Sequence, residues 1–131
     1  MVLVDTSVWI AVFRRHARVR LDDLVDFDDV VTCLPVVQEV LQGFDDERAY
    51  RVARESMLAL PTVESPMSSE VFDEAAALYR TARRSGRTIR SGVDCLIAAC
   101  AIRHDLDVLH DDRDFTALAE ISPLRSRRMA G

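Results

Sequence analysis

The chain opens on a short apolar run that ends in an acid. Val2, Leu3 and Val4 stand together without a polar residue, and Asp5 follows them directly. An unbroken apolar run of this length is typical of a strand buried on both faces, as in the parallel sheets of α/β proteins. Ligands of such sheets bind beyond the carboxyl ends of the strands. The opening therefore predicts an α/β fold with Asp5 at the sheet edge where a site would form.

Asp5 also has a simpler interpretation, as a helix cap. Thr6 and Ser7 follow it, and a helical spacing of apolar residues then begins with Val8 and Trp9. Asp and Thr side chains commonly accept hydrogen bonds from the free N–H groups at a helix start. On this stretch alone, we favour a cap over a site residue.

Length and composition predict a single domain over residues 1–131. Hydrophobic residues make up 49% of the chain and charged residues 30%, and no apolar run approaches the ~20 residues that a bilayer requires. Met1 leads at once into the predicted strand, without the basic and apolar regions of a signal peptide. We therefore expect a cytoplasmic location and no membrane contact.

Further strands are expected along the chain. Val30–Leu34 and Leu106–Leu109 are mostly apolar and predict a second strand and a later one, and the tail over residues 121–131 predicts a last short strand before Arg125. Helical patterns separate these runs, which favours a mostly parallel sheet.

Glu39 is the one acid of the helix that follows the second strand. Pro35 suits the first turn of this helix and Gly43 its end. The flanking residues of Glu39 are apolar, so its carboxylate lies either in solvent or in a polar cavity near the sheet. A lone Glu on a helix is more often solvated.

The segment Ser91–His104 is apolar on every side of a predicted helix through Ile102, apart from Asp94. Such a helix is expected at the centre of the fold. An isolated ionised carboxylate is costly there. One alternative needs no chemistry, because Ser91 and Asp94 match a capping box, in which the acid accepts from the N–H of the cap residue.

Acids also follow the strand predicted at Leu106–Leu109. Asp111, Asp112 and Asp114 lie within four residues, directly after His110. They could form an ordinary solvated turn. Like charges at the end of a strand repel one another unless cations are present, and we therefore favour metal binding.

Together, the acids predict one site. Asp5, Glu39, Asp94 and Asp112 all fall on elements expected to meet at one edge of a parallel sheet. Hard oxygen ligands suit Mg²⁺ or Mn²⁺, whereas the three histidines lack a paired spacing for zinc. Such ions activate water and stabilise the displacement of a phosphodiester. The implied reaction is metal-dependent phosphodiester hydrolysis.

A nucleic-acid substrate would need local positive charge, since the net charge is -5. Arg83, Arg84, Arg87 and Arg90 supply a candidate patch near the end of one predicted helix. We give equal weight to phosphate contacts and to the alternative that these cations merely stabilise a helix C-terminus.

Other phosphate chemistries fit poorly. Haloacid dehalogenase-like phosphatases and response regulators also place an acid after the first strand, but they usually rely on a lysine, and all 17 basic residues here are arginine. Ser7 stands where the phosphatase pattern has a second Asp. Neither G-x-x-x-x-G-K nor G-x-G-x-x-G occurs.

The chain resembles the PIN-domain ribonucleases and, among them, the VapC toxins of bacterial toxin-antitoxin pairs. The resemblance rests on the order and spacing of Val-Leu-Val-Asp-Thr-Ser at the start, Pro-Val-Val-Gln-Glu, Asp-Cys-Leu-Ile-Ala-Ala and Asp-Asp-Arg-Asp-Phe, and covers essentially the whole chain. It implies a three-layer α/β/α sandwich with a mostly parallel sheet of four to five strands. It also implies Mg²⁺- or Mn²⁺-dependent endoribonuclease activity that inhibits translation or growth, homodimerisation, and inhibition by a VapB-like antitoxin.

Residue by residue, the resemblance assigns Asp5 and Asp94 as the main metal ligands. Glu39 and Asp112 complete the acidic quartet, with Asp112 as a further ligand, and Asp114 is a candidate fifth member. Structured RNA such as tRNA or rRNA is the expected substrate. The alternative function is an inactive PIN-like RNA-binding or interaction module, which would be expected to lack some of these acids.

The resemblance also bears on three neighbours of the acids. Ser7 matches the family's hydroxyl beside the first acid, and Thr6 is a supporting or capping residue. His110 departs from the pattern, because the family usually carries a small hydroxyl or amide residue there. The imidazole either removes a supporting contact or adds a titratable group. We interpret it as a packing residue rather than a catalytic acid.

Overall fold

The computed structural model describes residues 1–14, 16 and 19–129. Its strands are β1 (Val2–Val4), β2 (Val30–Cys33), β3 (Thr62–Val63), β4 (Asp107–His110) and β5 (Arg125–Arg128). Its α-helices are α1 (Thr6–Phe13), α2 (Leu34–Gln42), α3 (Glu47–Leu58), α4 (Ser69–Arg84), α5 (Gly92–Arg103) and α6 (Arg113–Glu120). Two 3₁₀ turns, Leu21–Asp23 and Phe27–Asp29, lie between α1 and β2.

The five strands form one all-parallel sheet in the order β3-β2-β1-β4-β5, flanked by the helices. This confirms the predicted α/β/α architecture. The strand β1 is central because it is apolar throughout, and its Leu3 and Val4 are fully buried, as is Val108 on the neighbouring β4. Parallel strands end at the same edge, so Asp5 after β1, α2 after β2 and Asp111 after β4 share that edge.

The prediction of a last strand before Arg125 is wrong, because the strand is the arginine-rich segment itself. Arg125 donates to Asp107 Oδ1 on β4 at 2.5 Å and to Asp105 Oδ1 at 2.7 Å. An edge strand needs no apolar face of its own, and charged side chains also discourage further strand pairing. Residues 130–131 of the predicted tail lie outside the described part of the chain.

The central helix predicted from Ser91 to His104 is confirmed as α5. It packs against α4, α6 and β4, and six of its apolar residues are buried: Cys95, Ile97, Ala98, Ala99, Cys100 and Ala101. Neighbouring elements cover most of α5, so the helix has a fixed position. Asp94, in its first turn, therefore has a fixed position at the edge of the sheet. No helix in the described residues is long and apolar enough to cross a membrane.

Glu64 ties the loop between β3 and α4 to the end of α5. Its Oε1 lies 2.8 Å from His104 Nε2 and 3.0 Å from Arg103 Nε. Its Oε2 accepts from the backbone N–H and the hydroxyl of Ser68, both at 3.0 Å. These bonds, the backbone bond from Ser68 foremost, lower the pKa of Glu64 to about 2.

We expect Glu64→Gln to remove an acid-dependent part of the stability. The pKa of Glu64 is lower in the folded protein than in the unfolded chain, so its contribution is complete above pH ~4.5 and disappears as the pH falls towards ~2. The variant should unfold at less urea than the wild type at neutral pH, and the difference should shrink near pH ~2.5. Glu55→Gln, on an exposed position of α3, is the control. Equal differences at both pH values would contradict this role.

Candidate metal centre

Asp5 caps a helix with one carboxylate oxygen and leaves the other oxygen without a partner. Its Oδ2 accepts from the Ser7 backbone N–H at 3.0 Å and from the Ser7 hydroxyl at 2.5 Å, which caps α1. Its Oδ1 is buried and has no hydrogen-bond partner. Burial raises the pKa of Asp5 to about 6, although the bonds from Ser7 lower it. The cap predicted for Asp5 is therefore confirmed, and its Oδ1 remains available to a ligand.

The hydroxyls after Asp5 link it to the rest of the edge. Ser7 Oγ also accepts from the backbone N–H of Asp111 at 2.9 Å, which joins the ends of β1 and β4. Thr6 Oγ1 donates to Glu39 Oε1 at 2.9 Å. Glu39 is half-buried on α2. Its negative charge also raises the pKa of Asp5, although less than burial does. Thr6 thus positions an acid, while the cap of α1 is Asp5.

Asp94 lies in the first turn of α5 with 5% of its surface exposed, and its Oδ2 is buried without a partner. The capping-box alternative does not hold, because the Ser91 N–H donates to Asp114 Oδ2 at 3.2 Å. Burial raises the pKa of Asp94 to about 9, and the carboxylates of Asp114, Asp5 and Asp112 add to this effect. Asp94 therefore lies in a buried group of acids.

Asp112 and Asp114 begin α6. Asp112 caps this helix, accepting from the Asp114 N–H at 2.9 Å. Asp114 is 2% exposed, and its Oδ2 accepts from the consecutive N–H groups of Arg90 and Ser91 at 3.1 and 3.2 Å. Its Oδ1 is buried and makes no hydrogen bond. Asp114 is therefore anchored through one oxygen and leaves the other without a hydrogen bond.

Ligand oxygens of Asp94, Asp112 and Asp114 all lie within 4.8 Å of one another, which is close enough to share one cation. Asp5 falls outside this triad but raises the pKa of Asp94 through its charge. Unpartnered buried oxygens on Asp5, Asp94 and Asp114 are costly in a protein interior. A hard divalent cation fits this donor set, because it would supply the missing partner and relieve the repulsion.

His110 packs beneath this cluster. It is 1% exposed, its ring centroid lies 5.3 Å from that of Phe115, and its Nδ1 accepts from the Asp112 N–H at 3.2 Å. Burial, together with the charge of Arg128, lowers the pKa of His110. The neutral imidazole is thus a packing residue that also holds the Asp112 backbone.

The four arginines of the predicted basic patch have different surroundings. Arg90 lies at the acids, with guanidinium nitrogens 3.5 Å from Asp112 Oδ1 and 3.9 Å from Asp114 Oδ1. Arg87 instead pairs with Glu120 at 2.7 Å. Arg83 stacks over the ring of Tyr79, and Arg84 is exposed at the end of α4.

Sequence reasoning missed the backbone contacts that hold the site together. The N–H groups of Arg90, Ser91 and Asp111 each bind a site side chain. Of these three residues, only Ser91 fits a sequence pattern, the capping box. That pattern pairs its N–H with Asp94, whereas in the structure the N–H donates to Asp114. Nothing in the pattern indicated the other two.

Comparisons with known proteins agree with this architecture. A model of the PIN domain family matches residues 2–121. A VapC ribonuclease of Mycobacterium bovis and ribonuclease VapC11 of Mycobacterium tuberculosis are each 37% identical to the chain over 131 residues, covering 96% of this chain and 97% of the relative.

Among solved structures, VapBC-5 of M. tuberculosis, a member of the VapBC family of toxin-antitoxin systems, has a TM-score of 0.72 and 25% identity, covering 97% of both chains. VapBC2 of Rickettsia felis, bound to a promoter DNA fragment, has a TM-score of 0.77 at 14% identity, covering 99% of this chain and 100% of that one. M. tuberculosis VapC20, a sarcin-ricin loop cleaving toxin, has a TM-score of 0.71 at 22% identity, covering 95% and 99%. The chain belongs to the PIN domain family and, within it, to the VapC ribonucleases.

Proposed function

We propose that this VapC ribonuclease hydrolyses RNA phosphodiester bonds with a divalent cation, Mg²⁺ or Mn²⁺, held at the carboxyl edge of its sheet. One observation carries the proposal: Asp94, Asp112 and Asp114 offer oxygens within 4.8 Å of one another, and two of these acids keep a buried oxygen without a partner. The alternative of an inactive module has no support, because every acid position of the quartet carries a carboxylate.

We assign the acids as follows. Asp94 and Asp112 hold the cation, with Asp114 in the same triad and Asp5 contributing its free Oδ1. When bound, Mg²⁺ or Mn²⁺ lowers the pKa of water and stabilises charge on the phosphate oxygens. Thr6 fixes Glu39 through Oε1, and we assign Glu39 as the residue that orients or deprotonates the attacking water. Ser7 keeps Asp5 in place through two hydrogen bonds.

The proposed substrate is a structured RNA, such as tRNA or rRNA. RNA is usually recognised by shape and by unpaired loops, and a protein of the same fold is described as cleaving the sarcin-ricin loop. Arg90, beside the acids and 56% exposed, is the member of the predicted basic patch with the best position for a phosphate contact.

We further propose a cytoplasmic toxin that inhibits translation or growth, forms a homodimer and is inhibited by a VapB-like antitoxin. Support comes from the solved VapBC complexes with the same fold, of which those from R. felis and Salmonella typhimurium are bound to DNA.

Cleavage should depend on the acids and on the cation. We expect Asp5→Asn and Asp94→Asn each to reduce the cleavage of structured RNA in Mg²⁺ or Mn²⁺ by at least about a hundredfold, because loss of a supporting residue alone often costs 10–100-fold. A chelator should have the same effect. Asp107→Asn is the matched control, since Asp107 pairs with Arg125 at the other end of β4. Cleavage that survived both substitutions would exclude the proposed site.

Removing the charge of Asp94 should stabilise the metal-free protein. The pKa of Asp94 is raised from 3.8 to about 9, so the folded protein keeps a proton that the unfolded chain releases. Its contribution to stability therefore falls as the pH rises from ~4 to ~9. In urea denaturation with chelator, Asp94→Asn should gain at least about 1 kcal/mol near pH ~8.5 and less near pH ~5. A gain independent of pH would contradict the burial of an unpaired carboxylate.

Co-expression tests the toxin proposal. The product of an adjacent small gene should form a stable complex with the chain, and that complex should not cleave RNA that the free chain cleaves. Light scattering after size-exclusion chromatography should give the mass of two chains for the protein alone. An adjacent product that neither binds nor inhibits would remove the toxin assignment and leave the nuclease assignment intact.

A further inference from the structure

Arg128 brings a second guanidinium to the edge of the sheet that holds the acids. It is the last residue of β5, in register with His110 at the end of β4. Its Nε donates to Asp111 Oδ1 at 3.3 Å, and 57% of its side chain is exposed. Arg128 therefore lies beside the start of the acidic segment and keeps access to solvent.

Asp111 connects Arg128 to the site. The Asp111 backbone N–H donates to Ser7 Oγ at 2.9 Å, and the Ser7 hydroxyl donates to Asp5. Arg90 contacts Asp112 and Asp114 from the loop between α4 and α5. One guanidinium thus borders the acids from β5 and another from this loop.

The ion pairs of these two arginines are long. Arg128 and Arg90 lie 3.3 to 3.9 Å from their carboxylate partners. Arg125, on the same strand, lies 2.5 Å from Asp107 and 2.7 Å from Asp105. Charge-assisted hydrogen bonds are strong only at short distances, so Arg128 and Arg90 can exchange partners more readily than Arg125.

RNA must approach this edge against a group of carboxylates and a net charge of -5. Guanidinium groups are suited to this task, because their planar array of donors binds two phosphate oxygens at once. We propose that Arg128 is a phosphate-binding residue of the nuclease site, acting with Arg90 to hold the RNA backbone beside the acids. This inference rests on the proposed ribonuclease function and extends it to a residue outside the predicted patch.

The test measures RNA binding and its salt dependence. A fluorescein-labelled single-stranded RNA oligonucleotide is titrated with the full chain, and binding is followed by fluorescence anisotropy from ~50 to ~200 mM salt. Every variant carries Asp5→Asn to limit cleavage. Arg128→Gln removes the charge but keeps an amide donor for Asp111, and Arg125→Gln is the matched control from the same strand.

Losing one phosphate contact should lower the slope of log K against log salt by about 0.7, which corresponds to about fivefold weaker binding near 0.1 M salt. We expect this for Arg128→Gln and for Arg90→Gln, about twice the loss of slope in the double variant, and no change for Arg125→Gln. Arg128→Lys should keep the slope, because it keeps the charge, while losing part of the affinity.

An Arg128→Gln slope equal to that of the Arg125→Gln control would overturn the inference, as would an Arg128→Lys slope equal to that of Arg128→Gln. Wild-type cleavage of a structured RNA is measured in parallel with Mg²⁺ or Mn²⁺. Absence of wild-type cleavage counts against the proposed nuclease function, whereas cleavage combined with an unchanged Arg128→Gln slope counts against this inference alone.

Discussion

Burying several carboxylates side by side is the constraint on which the rest of this structure depends. Each negative charge makes ionisation of the others more costly. The fold offsets part of this cost with backbone N–H groups: Asp112 accepts from the start of α6, and two consecutive N–H groups before α5 donate to Asp114. Asp5 and Asp94 lie at the starts of α1 and α5. Helix N-termini favour anions through their dipoles, so the meeting of three helix starts makes the acidic group tolerable.

This compensation is incomplete in a way that suits a cation. One oxygen on each of Asp5, Asp94 and Asp114 stays buried without a partner, while the opposite oxygens of Asp5 and Asp114 are firmly held. A carboxylate anchored through one oxygen presents the other in a fixed position. Because these buried oxygens have no partner, the metal-free protein is less stable than it would be with them paired. Such a loss of stability is common where a site needs unpaired polar groups.

The arginines of this chain differ in how tightly their guanidinium groups are paired. Arg125 stabilises the edge strand through short ion pairs, and Arg87 forms one with Glu120. Arg90 and Arg128 lie at the acids with longer contacts and more than half of their side chains exposed. In a chain with no lysine, the distance and partners of each guanidinium decide which arginines are available to a phosphate backbone.

The sequence alone was sufficient to predict the parallel sheet, the central helix and the edge at which the acids gather. The apolar run that ends in Asp5, the mostly apolar segment before Asp111 and the apolar helix interrupted by Asp94 allow few other arrangements. These features are local, since an apolar strand or helix must be buried wherever it packs. The family resemblance rests on the same residues, and the comparisons confirmed it.

Only the tertiary structure decided which groups are partners. The carboxylate of Asp114 accepts from the N–H groups of Arg90 and Ser91, which holds it beside Asp94 and Asp112. Because the Ser91 N–H is used in this way, Asp94 does not form the capping box that its spacing suggested. The bond from Thr6 to Glu39 likewise joins residues 33 positions apart. The arginine-rich last strand was missed because it carries no apolar run, and its backbone pairing with β4, together with the ion pair of Arg125 to Asp107, places it at the edge. Such contacts depend on how distant helices and strands meet, and no local spacing encodes them.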